Sequence, residues 1–266
     1  MRGFWASVIM SFKSSTVFKF NLLIGIGRTI IAFLIQIAVW NALYFTTDGK
    51  SVAGKSLPDL LTFTVISSIT SILVGIYFAE QLEKRMKSGD IALDFIKPQS
   101  PRLLFVAQSL GSNLNSLIFH GIPMLITAMF FLSNLKPPAS AGHLALFIVS
   151  LAGAFFITSS LEIFKGTLTF WFINIWFLDW IMTIFTDFLS GRYVPLWFFP
   201  KFLQDISFAL PFQAAYFTPV EIYLGDYDIK QSLTAIGVQL FWGAVLCVVQ
   251  QLMWRKAVRR IVVLGG

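Results

Sequence analysis

The chain has 266 residues, 56% of them hydrophobic and 12% charged, with a mean hydropathy of +0.76. No soluble domain of this size hides so much apolar surface, so the composition points to a polytopic membrane protein. The formal net charge of +7 sits in loops beside apolar stretches, which is a topology signal and excludes nucleic acid as a partner.

At the start, Phe4, Trp5, Val8, Ile9 and Phe12 recur at helical spacing. Residues 1–20 therefore read as an amphipathic helix lying in the cytoplasmic interface, with Trp5 at headgroup depth. The segment lacks the compact apolar run and small-residue cleavage site of a signal peptide. A first span is expected over 22–45, long enough for about 30 Å of hydrocarbon. Arg28 lies one or two turns inside its cytoplasmic end, where it snorkels to the interface or else meets a substrate.

In the next loop Gly49, Gly54, Lys55 and Ser56 match the phosphate-loop pattern G-x-x-x-x-G-K-[ST]. That pattern carries meaning only between a buried strand and a helix, and here it stands between two membrane spans. It is a coincidence, and any ATP that drives the protein binds to another chain.

A second span over 60–79 leads into the polar segment 80–102, which carries Lys84, Arg85, Lys87, Lys97 and Arg102. Its basic content places it in the cytoplasm. Glu83 and Lys87 pair four apart on a helical extension that Gly89 ends in the left-handed conformation. Asp90 then caps a second short helix with Ile91, Ala92, Phe95 and Ile96 on its apolar side, and Pro98 stops it. That apolar side lies on the lipid surface or docks in a groove of a partner protein.

The third span runs on helically to about residue 133. Gln108, Ser109, Ser112, Asn113 and Asn115 at its start protrude or pack on another helix, and Pro123 kinks it at Phe119. The fourth span, 144–164, ends with Glu162 and Lys165 three apart, an expected ion pair, and Gly166 marks a tight cytoplasmic turn. The fifth, 168–189, is dense in aromatics and places Asp179 near mid-span. A carboxylate there faces protein or water, either in a functional role or as a hydrogen-bonded structural acid. Asp179, Asn174, Arg28 and Glu162 are the candidates for a translocation path.

Residues 192–228 are too apolar for an exposed loop and too short for two spans. Cut by Pro195, Pro200, Pro211 and Pro219, they fit a re-entrant pair of short helices, with Phe212 and Gly225 in its second half. The sixth span, 232–254, is followed by Arg255, Lys256, Arg259 and Arg260, which places the C-terminus inside with the N-terminus. The expected fold is thus all-α, one permease domain over 1–266 with six spans. The one cysteine, Cys247, forms no internal disulfide, and His120 and His143 lack metal-ligand spacing.

Two stretches carry a family likeness. KSGDIALDFIKPQSPR (87–102) resembles the Gly-(Glu/Asp)-Ile…Asp-Leu-Leu-Arg-Pro loop of ABC-2 superfamily exporter permeases, with Phe95, Ile96 and Lys97 as mild departures. VPLWFFPKFLQDISFALPFQAAYFTPVEIYLG (194–225) resembles their Pro…Pro…Leu-Pro-Phe…Pro…Ile…Leu-Gly segment. More narrowly, the chain is similar to daunorubicin- and viologen-type export permeases. The resemblance implies a coupling helix in the first cytoplasmic loop, here Gly89, Asp90, Ile91, Leu93, Phe95, Ile96, Lys97 and Pro98. It also implies two copies of a separate ABC ATPase that binds ATP and Mg, with no cofactor in this chain. A second permease, a copy or a related chain, would stand beside it in a prokaryotic cytoplasmic membrane, with the first and fifth spans at their interface. Two other functions compete: a proton-coupled secondary transporter using Asp179 or Glu162, and an intramembrane lipid-modifying enzyme. The first needs inverted halves, where only one broken region is seen. The second needs clustered acids or histidines, which the sequence scatters.

Overall fold

The computed structural model describes residues 2–16, 19–46, 51–95, 100–131, 135–172 and 175–264. Among them the chain is all-α: α1 (Arg2–Ser14), α2 (Lys19–Thr46), α3 (Leu57–Val74), α4 (Phe78–Ser88), α5 (Ile91–Phe95), α6 (Pro101–Ser116), α7 (Ile122–Phe131), α8 (Ala141–Thr167), α9 (Trp176–Leu189), α10 (Lys201–Ala209), α11 (Gln213–Leu224) and α12 (Ile229–Leu264). Among the described residues five stretches are long and apolar enough to cross a bilayer: Leu22–Thr46, Leu57–Ser88, Pro101–Phe130, Ala141–Phe170 and Ile229–Arg259. The expected fifth span is shorter. Its α-helix, α9, has 14 residues, about 21 Å at 1.5 Å per residue.

Local signals start several helices. The Asp59 carboxylate accepts the Ser56 backbone N–H at 3.1 Å, a capping arrangement at the head of α3. Ser100 and Ser140 hydroxyls accept N–H groups of Leu103 and His143 at the starts of α6 and α8. Lys55 and Ser56, the end of the phosphate-loop pattern, are thereby explained: Ser56 caps α3, and Lys55 pairs with Asp226 at 2.5 Å. Gly49 lies outside the described residues.

Four features depart from the pattern read in the sequence. The second span breaks: α3 stops at Val74, and Gly75, Ile76 and Tyr77 are non-helical before α4 begins. The chain passes through Gly166 as helix, which runs to Thr167 and on into a 3-10 turn, Leu168–Phe170. Gly166 is needed for closeness, since a Cβ there would sit 2.4 Å from the Phe78 ring. α12 is one helix of 36 residues, longer than its expected span. Ahead of Pro123, finally, the irregularity is a π-helical turn, Leu117–Gly121, which absorbs the proline's missing N–H and bulky ring without a free kink.

The N-terminal helix packs on the polar start of the third span. Ser11 donates to the Gln108 carbonyl at 2.6 Å, and Asn115 donates to the Phe12 carbonyl at 3.1 Å. Between them Gly111 lets the backbones touch: a Cβ would meet the Val8 carbonyl at 2.2 Å. On the outer side of α1, Trp5, Ile9 and Met10 stay exposed, as suits a helix in the interface.

The proline-cut segment forms short helices. Pro195 precedes a 3-10 turn, Leu196–Phe198, and Pro200 precedes α10. Pro211 and Phe212 lead into α11, Pro219 lies within it, and Gly225 ends it at φ +79°. Every residue from Gln213 to Ile222 is buried, chiefly against α8 and α3. The fully buried Gln239 of α12 ties this region together. It donates to the carbonyls of Ala214 (2.7 Å) and Ser150 (3.2 Å). Other helices thus shield α11, while Phe202, Ile206 and Phe208 of α10 stay exposed.

Because Gly166 touches Phe78, Gly166→Leu is expected to overpack this junction at a cost of about 1–3 kcal/mol. Gly27, with open space beside it, gives the control substitution Gly27→Leu. Thermal unfolding in detergent should show a lowered midpoint for the first variant only.

Candidate functional site

The break in the second span organises two adjoining cavities. Its exposed carbonyls are satisfied by other helices: Asn113 of α6 donates to Leu73 (2.9 Å) and Gly75 (2.7 Å), and Thr158 of α8 donates to Val74 (2.7 Å). The unwound residues leave room on both sides. Gly75, Tyr77 and Arg192 line both cavities.

The first cavity, of about 410 Å³, lies among α2, α3, α6 and the π-turn. Arg28, Ser67, Ser71, Asn113, His120 and Arg192 are among its walls. α3 supplies Thr64, Ser67, Ser68 and Ser71 three and four residues apart, hence on one side of the helix. The second cavity, about 280 Å³, is lined by Glu162, Lys165, Asp179, Asp187, Arg192 and Tyr216, among others.

Arg192 is the shared wall. Its head reaches inward, and Gly191 beside it is left-handed at φ +69°. Its Nε donates to the Ser71 hydroxyl at 2.9 Å, and one guanidinium nitrogen meets Asp187 at 3.0 Å. The guanidinium also lies 5.1 Å from the ring centres of Tyr193 and Tyr216. One side chain therefore joins α3, α9 and α11.

Lys165 plays the corresponding part in the second cavity. The expected Glu162–Lys165 pair is present, and Lys165 also reaches Asp179 at 3.0 Å and the Thr183 hydroxyl at 3.1 Å. Asp179 stands in the first turn of α9, not near mid-span. There the partial positive charge of the helix N-terminus favours a carboxylate. Among the other path candidates, Glu162 lines the second cavity and Arg28 the first, while Asn174 lies outside the described residues. Arg192, Tyr77, Ser71 and Asn113 were missed. The serine spacing in the second span was the readable signal for one wall; nothing local marks Arg192 as buried.

At the far end of α4 stands the 80–102 segment. The Glu83–Lys87 pair forms at 2.6 Å, and Gly89 is left-handed at φ +79°. Asp90 accepts the Ser88 hydroxyl at 2.8 Å, closing the turn into α5. Asp94 of α5, with no solvent exposure, accepts two 2.7 Å hydrogen bonds from Arg85 of α4. This clamp, one guanidinium nitrogen gripped by both carboxylate oxygens, holds α4 and α5 as one hairpin. Ile91 differs from expectation: it packs inside the chain with Phe78, Leu82, Phe105, Phe170 and Trp254. Among the described side chains of α5, Leu93 is the apolar one left exposed. Ile96, Lys97 and Pro98 lie outside the described residues, as does the side chain of Phe95.

Among the described residues no three His, Cys, Asp or Glu side chains gather as metal ligands. What the arrangement offers is two polar-lined cavities between apolar helices. The fold and its paired cavities belong to an all-α polytopic membrane protein. Residues 21–265 match the family described as "ABC-2 family transporter protein", nearly the whole chain, and the chain belongs to this ABC-2 family. It is thus the transmembrane subunit of an ABC transporter. Subunits of this family generally lack an ATPase site of their own and partner with an ABC ATPase. No curated protein and no solved structure matches the chain.

Removing the cation from the Glu162–Lys165–Asp179 group should be costly, because two carboxylates are left facing each other. Lys165→Met is expected to destabilise by about 3–5 kcal/mol. Adding Glu162→Gln should restore part of the loss. Thermal unfolding in detergent checks both, and an unchanged midpoint for Lys165→Met would show that the network contributes no stability.

Proposed function

We propose that the chain is the permease of an ATP-driven exporter that moves a hydrophobic or amphiphilic molecule out of the cytoplasm or inner leaflet. The observation that carries this reading is the continuity between the α4–α5 hairpin and the cavities. α4 grows directly from the break at Gly75–Tyr77, which lines both. Its root, Phe78, is wedged against Gly166, and the Ala79 N–H approaches Glu162 at 3.4 Å. A push on the clamped hairpin therefore bears on the cavity walls as a rigid body.

In this reading two copies of a separate ATPase, loaded with ATP and Mg, press on α5. The hairpin, both termini and the end of α8 face the cytoplasm of a prokaryote, while the loops carrying Lys55, Lys136 and Asp226 face outward. The exposed apolar faces of α2 (Leu23, Ile24, Ile31, Ile35) and α9 (Trp176, Phe177, Trp180, Phe185) meet a second permease. The kinship with daunorubicin- and viologen-type exporters belongs to the same proposal.

Orientation is checked with single-cysteine variants in a Cys247→Ser background. Ser140→Cys should label from outside intact cells and Ser88→Cys only after permeabilisation; the reverse pattern overturns the topology. Docking is checked with Leu93→Asp. Burying such a side chain is worth about 1.5–3 kcal/mol, and a carboxylate in an apolar groove is worse than truncation. ATPase recovery on copurification and export should both fall while membrane insertion stays normal. Full recovery of the ATPase and of export would sink the docking reading.

A further inference from the structure

The first cavity has an uneven charge inventory. Its walls carry two guanidinium groups, Arg28 and Arg192, and no carboxylate. The charge of Arg192 is met by Asp187 at 3.0 Å. Among the described residues, Arg28 has no acidic partner within salt-bridge distance. It stands six residues beyond Leu22, where the first span starts, about 9 Å along the helix. A guanidinium at that depth is expensive without a counter-charge.

The hydrogen-bond directions agree with an acceptor ligand. Ser71 accepts from Arg192 Nε, which leaves its own O–H free to donate. No protein acceptor engages the hydroxyls of Tyr77, Ser112 or Ser116 among the described residues. Asn113, by contrast, spends its amide protons on the broken helix. The free capacity around the cavity is thus an unmatched cation together with several hydroxyl donors. On the α2 side of the cavity Arg28 and Ala32 are exposed beside the apolar side chains of Ile31 and Ile35.

We propose that this cavity receives the anionic head of an amphiphilic cargo, with the Arg28 guanidinium as its counter-charge and the apolar tail lying along α2. The inference rests on the transporter reading and narrows its cargo from any amphiphile to one with an anionic, phosphate- or carboxylate-like head. A volume of about 410 Å³ suits a head group of that kind, since ligand sites run to roughly 300–1,000 Å³. Arg28 sets the specificity.

The test is equilibrium binding of radiolabelled decyl phosphate to the full-length permease in phosphatidylcholine nanodiscs, which carry no net lipid charge. Saturable binding is expected. Arg28→Gln should weaken it roughly tenfold or more, the loss of a charge-assisted contact, and Arg28→Lys should keep part of it. Decyltrimethylammonium should fail to compete, and inorganic phosphate should compete only at far higher concentration. A second variant, Ala32→Phe, narrows the mouth without touching a charge and should also reduce binding. Unchanged binding in Arg28→Gln overturns the proposal, as does equal competition by the cationic amphiphile. Equal competition by inorganic phosphate overturns the amphiphile in favour of a free anion. Binding needs no ATPase, so its absence overturns this inference alone. Loss of the copurifying ATPase from the unaltered chain bears only on the transporter reading.

Discussion

A helix that breaks inside a bilayer must hand its freed backbone groups to other parts of the protein, because the hydrocarbon offers no partners. In this chain the break after Val74 is met from two directions, by Asn113 of the third span and Thr158 of the fourth. That stitching fixes the second, third and fourth spans to one another. It also creates the space in which both cavities lie and sets the point from which α4 departs. Remove the amide of Asn113, and two carbonyls are left unpaired at the centre of the fold.

The buried charges follow from the same geometry. Arg192 and Lys165 each face more than one element, so each couples helices that would otherwise only touch. Arg192 links α3 to α9 and α11, and Lys165 links α8 to α9. α9 is short and exposes a row of aromatics. These two cations are therefore its principal polar attachment to the bundle. A buried ion pair is weak evidence of net stability but strong evidence of a fixed arrangement, since losing one partner strands the other.

What the sequence disclosed was local. The left-handed Gly89, the Glu83–Lys87 pair, the Glu162–Lys165 pair, the limits of the first span and the irregularity before Pro123 each depend on residues a few positions apart. What it hid depends on distant partners. Gly75 reads as one more small residue in a span until Asn113, 38 positions on, is seen to hold its carbonyl. Gly166 reads as a turn because its reason for being glycine, the Phe78 ring, lies in another helix. Ile91 was assigned to an outer surface because a five-residue helix has too little periodicity to show which face the chain itself covers. Arg192 is hidden for a related reason: its partners, Ser71 and Tyr216, lie far off in the chain.

The clamp between Arg85 and Asp94 bears on the kinetics and thermodynamics of any encounter at this surface. A loop ordered only on contact loses conformational freedom at that moment, and affinity suffers by that amount. Here α4 and α5 are joined beforehand, because a buried carboxylate holding one guanidinium nitrogen already defines the shape of the hairpin. A partner that grips α5 meets a preformed surface, so the strength of the grip depends on complementarity. The same rigidity means that a force applied at the tip is not dissipated in bending the loop and arrives at the root almost undiminished.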